Sequence, residues 1–292
     1  MLPCAPFLRR LLVFLLPIAV AGIGLECVLR SSPNSYRATA NIIRERADSV
    51  EVMILGNSHA FYGLQTNLLS PVAVNMAHVS QTLTIDREML EHYAPQCPRL
   101  KNVILICDHS NLFDPPLDSG EESFRITYYH IYMGLCRPVW PKYFDWELWH
   151  TTAAMEKLKS IAGHSSFEAP LVEEKGDSIA RRRADKHTCR DWSLAEANAA
   201  EIRKIATYCQ THHLHLILLA TPVTTDYLRH IPARQKAYLH ELMSTMEHTY
   251  GVTIRDYGAD VRFCSDDFID TDHLTPSGAA RFTEILNMEL LD

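Results

Sequence analysis

The 292-residue sequence contains no Cys-x-x-Cys pair, no long block of basic residues and no internal repeat. Without Cys-x-x-Cys spacing, the eight cysteines support neither a zinc site nor a thioredoxin-like redox motif. The formal net charge is −7, so nucleic acid is not an expected partner. We predict no metal and no cofactor. The remaining composition, 47% hydrophobic and 22% charged residues, is ordinary for a globular protein.

The N-terminal segment determines the expected compartment. Arg9 and Arg10 precede an apolar run that is about long enough to span a bilayer. Basic residues in front of such a run favour a cytoplasmic N-terminus, which puts the rest of the chain on the extracytoplasmic side, periplasmic or outer. The alternative is a signal peptide cleaved after Ala19-Val20-Ala21, which would secrete the domain. We predict a membrane anchor over residues 1–30.

We predict a polar stalk at residues 31–48 and one large domain at residues 49–292. Short apolar runs alternate with segments of helical periodicity, which predicts an α/β fold with a parallel sheet covered by helices on both faces. The five predicted strands are 50–55, 72–75, 102–107, 214–220 and 252–257.

An aromatic-rich stretch at about 112–192 interrupts this alternation and is predicted to be a helical insertion. Its aromatic side chains either fill a core of their own or cap the site and hold an acyl chain or a sugar. These residues are Tyr128, Tyr129, Tyr132, Trp140, Tyr143, Phe144, Trp146 and Trp149.

Two motifs at opposite ends of the domain carry candidate chemistry. Ser58 directly follows the first predicted strand, where open α/β sheets build their sites. Asp270 and His273 are three residues apart on a loop that leads into the last helix. A carboxylate so placed can bond one imidazole nitrogen and leave the other free to accept a proton. We therefore predict Ser58 as nucleophile, His273 as general base and Asp270 as its orienting partner, with Asp272 as the alternative partner.

Together the two motifs resemble the SGNH (GDSL-type) hydrolase superfamily. Gly56-Asn57-Ser58-His59 is similar to its Gly-Asp-Ser-x block, with Asn57 in place of Asp, and Asp270-x-x-His273 is similar to its last block. The resemblance implies a flavodoxin-like three-layer α/β/α sandwich. From the residues alone, an α/β-hydrolase fold is the structural rival. Other stretches resemble membrane-anchored SGNH-like proteins of bacterial envelopes, namely 29–36, 74–77, 80–81, 221–222 and 267–274.

The same resemblance implies an oxyanion site. The second block of the superfamily supplies a glycine amide, and Ala77 holds the matching position here, two residues after Asn75. The third block, Gly-x-Asn-Asp, is missing, and Asn111 and Gln81 are alternative replacements for its asparagine side chain. The tripeptide 186–188 resembles a basic-His signature of the envelope group, which makes His187 a further predicted contact. We expect these residues to bind the oxyanion or the substrate.

Three functions are compatible with these motifs. The leading prediction is an SGNH-type esterase or deacetylase acting on an acylated envelope glycan or lipid. The first alternative is an O-acyltransferase that modifies an exopolysaccharide or cell-wall polymer beside a membrane-embedded acyl donor. The second is a non-catalytic protein that binds polysaccharide or scaffolds an assembly. The change from Gly to Ala77 and the missing third block favour that last reading, whereas Ser58, Asp270 and His273 favour an enzyme.

Overall fold

A computed structural model describes residues 4–135, 146–163 and 171–291. Three aromatic residues of the predicted insertion, Trp140, Tyr143 and Phe144, lie outside the described residues. By internal contacts the chain divides into two compact units. The first combines residues 1–37 with 124–169, and the second combines residues 38–123 with 170–292.

Helices and short parallel strands alternate through most of the described chain. The helices are α1 (Cys4–Ser31), α2 (Ser35–Arg46), α3 (Ser58–Gly63), α4 (Leu83–Tyr93), α5 (Arg125–Met133), α6 (Thr151–Ile161), α7 (Asp177–Lys186), α8 (Trp192–Thr211), α9 (Thr225–His230), α10 (Ala233–Tyr250) and α11 (Pro276–Leu286). The strands are β1 (Val52–Leu55), β2 (Ala73–Asn75), β3 (Asn102–Ile106), β4 (His215–Ala220) and β5 (Thr253–Asp256).

The first unit is helical and begins with α1. This helix is long and apolar enough to be a membrane anchor or a signal sequence. Within the unit, the buried ring of Tyr36 contacts Tyr128 and Tyr129. A fully buried ion pair joins Lys157 to Glu147 at 2.9 Å. The interior of this unit therefore contains tilted and edge-to-face tyrosine contacts and a buried ion pair.

The second unit contains the sheet. All four strand pairings are parallel, and the strand order is β2-β1-β3-β4-β5. This is the flavodoxin-like order, in which the chain reverses direction across the sheet between β1 and β3. The carboxyl ends of all five strands lie along one edge, so the loops that follow β1, β3, β4 and β5 are brought together there.

Both faces of the sheet are buried, as the continuous apolar runs of its strands require. On one face, strand residues such as Ile54 and Ile104 form a core with Ala60 of α3 and Phe282 of α11. Residues that alternate with them, such as Met53, are also buried, on the face where α8 and α10 contact the sheet. The α/β fold with a five-stranded parallel sheet and an N-terminal apolar helix is therefore confirmed, and it is consistent with a three-layer sandwich.

Six cysteines are free thiols, namely Cys27, Cys97, Cys107, Cys189, Cys209 and Cys264. Cys97, Cys107 and Cys209 are buried. Burial raises the pKa of the Cys209 thiol to about 12, so this thiol stays protonated and unreactive.

Candidate active site

The turn after β1 presents Ser58 at the first position of α3. Gly56 makes this turn possible, because its φ is +140° and an added Cβ would lie 2.5 Å from Ile106 Cγ1. Asn57 caps α3 by accepting the His59 N–H at 3.0 Å. The Asn57 amide also donates to Ser110 Oγ at 2.8 Å, which joins the turn to the loop after β3. The position of Ser58 is therefore fixed from two sides.

His273 lies against Ser58, and Asp270 lies behind His273. The distance from His273 Nε2 to Ser58 Oγ is 2.9 Å, and the distance from His273 Nδ1 to Asp270 Oδ2 is 3.0 Å. The Asp270 carboxylate is fully buried and accepts the backbone N–H of His273 at 2.7 Å. This geometry brings together the three residues that the motifs predict as nucleophile, base and orienting group.

Asp272, the alternative partner, is farther from the imidazole. Its Oδ1 lies 3.7 Å from His273 Nδ1, beyond hydrogen-bond distance. The shorter distance therefore favours Asp270 over Asp272 as the partner of the His273 imidazole.

Arg183 of α7 binds the same carboxylate. Its guanidinium donates to Asp270 Oδ2 at 2.7 Å, and its Nε lies 3.7 Å from Asp272 Oδ1. Arg181-Arg182-Arg183 has the composition of a solvated surface cluster, but the Arg183 side chain is only 23% exposed and contacts the buried Asp270 carboxylate. The guanidinium neutralises part of the buried negative charge behind the imidazole.

A second histidine–aspartate pair lies beside the first. His59 Nδ1 is 2.9 Å from Asp108 Oδ2, and both side chains are buried. Thr221 Oγ1 lies 3.1 Å from the same nitrogen. Burial disfavours the charged imidazole, but the carboxylates of Asp108 and Asp272 outweigh it and raise the pKa of His59 to about 10. The His59 imidazole is therefore a fixed cation near neutral pH.

Asp272 lies between His59 and His187. Its Oδ2 is 3.6 Å from Nε2 of each imidazole, and within the described chain neither Asp272 oxygen has a hydrogen-bond partner. His187 Nδ1 also lies 3.4 Å from Asp114 Oδ1. Despite burial, the carboxylates of Asp114 and Asp272 raise the pKa of His187 to about 9. The structure therefore places His187 beside Asp272, whose Oδ2 also lies near His59.

Three of these side chains are spaced closely enough to hold a metal ion. Donor atoms of His59, Asp272 and His273 lie within 4.8 Å of one another. However, the bond to Asp270 already uses His273 Nδ1, and the Arg183 guanidinium supplies a positive charge at the same carboxylates. The donor set therefore fits an ionic network better than a metal centre, and we assign no metal to it.

The predicted oxyanion donors make hydrogen bonds to other protein groups. The Ala77 N–H donates to Asn75 Oδ1 at 3.0 Å, and Asn75 Nδ2 donates to the Ala60 carbonyl at 2.8 Å. Asn75 thus ties the loop after β2 to α3. Ala77 is not among the described non-glycine residues with positive φ, so the change from glycine introduces no backbone strain there.

Gln81 and Asn111 donate to acceptors in the elements next to their loops, α4 and β3. Gln81 Nε2 donates to Asp86 Oδ1 at 2.6 Å, and burial raises the pKa of Asp86 to about 7. Asn111 Nδ2 donates to the Ile106 carbonyl at 2.6 Å. A role for either side chain as an oxyanion donor stays a prediction.

A cavity of about 300 Å³ opens at the carboxyl ends of β4 and β5. Its walls are apolar at Val223, Leu239 and Met243 and polar at His59 and Tyr227. Ser58 is not among its lining residues, so we assign the cavity no step in a reaction at Ser58.

Comparison with known proteins adds little to this geometry. No protein-family model matches the chain, and no curated protein matches it significantly. Among solved structures, the chain is similar to one described as "a putative platelet activating factor from Streptococcus pneumonia". The two share 12% sequence identity with a TM-score of 0.38, over 92% of this chain and 98% of the other. A functional assignment therefore rests on the residues of this chain.

Proposed function

We propose that the chain is a serine-dependent ester hydrolase of the SGNH type. The observation that carries the proposal is the continuous connection from Ser58 Oγ through His273 to Asp270, with distances of 2.9 and 3.0 Å. A serine hydroxyl is a weak nucleophile unless a neighbouring base removes its proton. The buried, arginine-bound carboxylate behind His273 is the group such a base needs for orientation and charge balance.

In the proposed reaction, Ser58 Oγ attacks the ester carbonyl while its proton passes to His273 Nε2. Asp270 holds the imidazole by Nδ1 and stabilises the imidazolium. The tetrahedral oxyanion is held by backbone amides, for which we propose Ser58 and Ala77. His273 then protonates the leaving alcohol, and water releases the acyl group from Ser58 in the second half-reaction. The Ala77 N–H becomes available only if its bond to Asn75 opens.

For substrate and location, we propose an acylated envelope glycan or lipid and an α1 membrane anchor. Arg9 and Arg10 before the apolar run favour an extracytoplasmic catalytic domain. The proposed domain boundaries remain an anchor at 1–30, a stalk at 31–48 and a catalytic domain at 49–292 with an insertion at about 112–192. In the alternative O-acyltransferase, a membrane-embedded acyl donor would acylate Ser58, and the acyl group would then pass to a sugar hydroxyl instead of to water.

A non-catalytic binding protein is the second candidate, and one observation favours it. Ala77, Gln81 and Asn111 all donate to protein acceptors, so none of these donors is free to bind an oxyanion in this structure. Catalytic hydrogen bonds often tighten only in the complex, however, and the aligned triad has no evident structural purpose in a scaffold.

Covalent trapping of Ser58 distinguishes the two candidates. We would treat the full chain in detergent with a fluorophosphonate and locate the adduct by peptide mass spectrometry. The hydrolase predicts a single adduct on Ser58 that is lost in His273→Ala, and a binding protein predicts none. A sugar acceptor that outcompetes water after acylation would convert the assignment from hydrolase to transferase.

A further inference from the structure

The apolar helix α1 is divided into an exposed part and a docked part. Every residue from Pro6 to Ala21 is exposed. From there on, one stripe at helical spacing packs into the first unit, with Gly22 and Leu25 half-buried and Glu26 and Leu29 buried. The partners are the 3₁₀ turn Glu147–Trp149 and helix α6. Residues 22–31 of α1 are therefore packed against the turn and α6, whereas residues 6–21 are not packed against the described part of the protein.

Glu26 fixes this junction. Its carboxylate accepts the backbone N–H of Glu147 at 3.0 Å and of Leu148 at 2.9 Å, and it also binds Arg30 Nε at 2.7 Å. Ionisable groups inside an apolar membrane segment are costly unless they are paired. Here the acidic side chain is satisfied by the first unit, which explains its presence within an otherwise apolar run.

The length of α1 sets the depth of the junction. Arg9 and Arg10 mark the inner boundary of a span, and residues 11–21 of α1 rise roughly 16 Å at about 1.5 Å per residue. The hydrocarbon core of a bilayer is about 30 Å thick. About nine further residues are needed to cross it, and these are residues 22–30, which carry the docked stripe. If α1 spans a bilayer, α6 must lie at the level of the outer leaflet.

Several exposed apolar side chains of α6 and α1 suit that position. Met155 is 54% exposed and Ile161 is 49% exposed, and Val28 on the adjoining part of α1 is 48% exposed. The side chain of Trp149, at the end of the 3₁₀ turn, is 62% exposed. Exposed apolar groups beside a membrane segment are favourable against acyl chains and headgroups, and tryptophan is enriched at that interface.

We propose that α6, the adjoining 3₁₀ turn and the docked end of α1 form a membrane-contacting surface, called here the shoulder. In it, Met155, Ile161 and Val28 contact the phospholipid chains of the outer leaflet. This inference rests on the proposed membrane anchor, but it does not depend on the reaction at Ser58. It makes the first unit a part of the membrane attachment, so α1 and α6 together hold the unit against the bilayer.

Photocrosslinking from lipid tests the shoulder. The full chain would be placed in phosphatidylcholine nanodiscs in which some lipids carry a diazirine on the acyl chain, and adducts would be mapped by peptide mass spectrometry. We expect adducts on peptides of both α1 and α6. In the double variant Met155→Asp/Ile161→Asp, we expect the α6 yield to fall about tenfold or more with the α1 yield unchanged, since carboxylates are strongly disfavoured at hydrocarbon depth. A matched variant, Thr152→Ser/Lys159→Arg, changes exposed α6 positions conservatively and should keep the wild-type yield.

Adducts on α1 without adducts on α6 would overturn the proposal, because the anchor would then be embedded and the shoulder would not. Absence of adducts from both helices would overturn the anchor as well. Fluorophosphonate labelling of Ser58 in the same nanodiscs reports separately on the proposed function.

Discussion

Replacement of Asp270 by Asn, compared with the same change at Asp272, separates the orienting carboxylate from its neighbour. Asp270 Oδ2 lies 3.0 Å from His273 Nδ1, and Asp270 Oδ1 accepts the His273 backbone N–H at 2.7 Å. Asparagine keeps the shape but removes the charge that stabilises the imidazolium. In serine hydrolases, loss of this group costs about 10³–10⁴ in rate, or roughly 4–5.5 kcal/mol of barrier. We expect a loss of that size for Asp270→Asn.

The matched change at Asp272 should cost far less. Its Oδ1 is 3.7 Å from His273 Nδ1, outside hydrogen-bond distance, and its charge is shared with His59, His187 and Arg183. A loss within about tenfold, or 1.4 kcal/mol, is expected for Asp272→Asn.

The rate constant of fluorophosphonate labelling at Ser58 measures both variants on one scale. Urea unfolding of each variant verifies that the fold is retained, because both carboxylates are buried. An Asp272→Asn variant that loses as much reactivity as Asp270→Asn, while remaining folded, would refute the assignment of Asp270 as the orienting group.

Two further predictions concern stability. Gly56→Ala should lower the free energy of unfolding by about 3 kcal/mol through overpacking against Ile106 and an unfavourable φ, whereas the control Gly120→Ala, where an added Cβ meets nothing within 4 Å, should stay within about 0.5 kcal/mol in the same urea titration. An equal effect at both glycines would contradict the close approach. His59 has a folded-state pKa of about 10, above its ordinary 6.5, so its stabilising contribution is full below pH 6.5 and is lost as pH rises to 10. Wild type should therefore lose roughly 3 kcal/mol more than His59→Gln between pH 7 and 10, and parallel pH profiles would show that His59 is not held charged.

The sheet could be predicted because its strands are short continuous apolar runs between polar loops. All five predicted strands form, with bounds that differ by one or two residues, as in β1 at Val52–Leu55 where 50–55 is expected. The parallel order follows from the helices between the strands. The first unit could not be predicted, because it joins α1 to a segment almost a hundred residues later, and no local periodicity encodes that pairing.

The proximity of Ser58, His273 and Asp270 could be predicted for a local reason, whereas the ionic network around them could not. Asp270 and His273 are neighbours in sequence, and Ser58 is marked by the end of a buried strand. The partners of this core come from separate loops: Arg183 lies in a cluster that looks like ordinary surface, and Asp108 meets His59 only through the pairing of β1 with β3. The adjacency of His59 to the nucleophile was the one available signal for the second pair.

The measurement that tests the central claim most directly is intact-mass analysis of the full chain after treatment with a fluorophosphonate, alongside Ser58→Ala and His273→Ala. The account predicts one covalent adduct on the wild type and none on either variant, because the hydroxyl reacts only when His273 removes its proton. An unmodified wild type with an intact fold, or a His273→Ala variant that labels as fast as wild type, would contradict a serine–histidine–aspartate hydrolase.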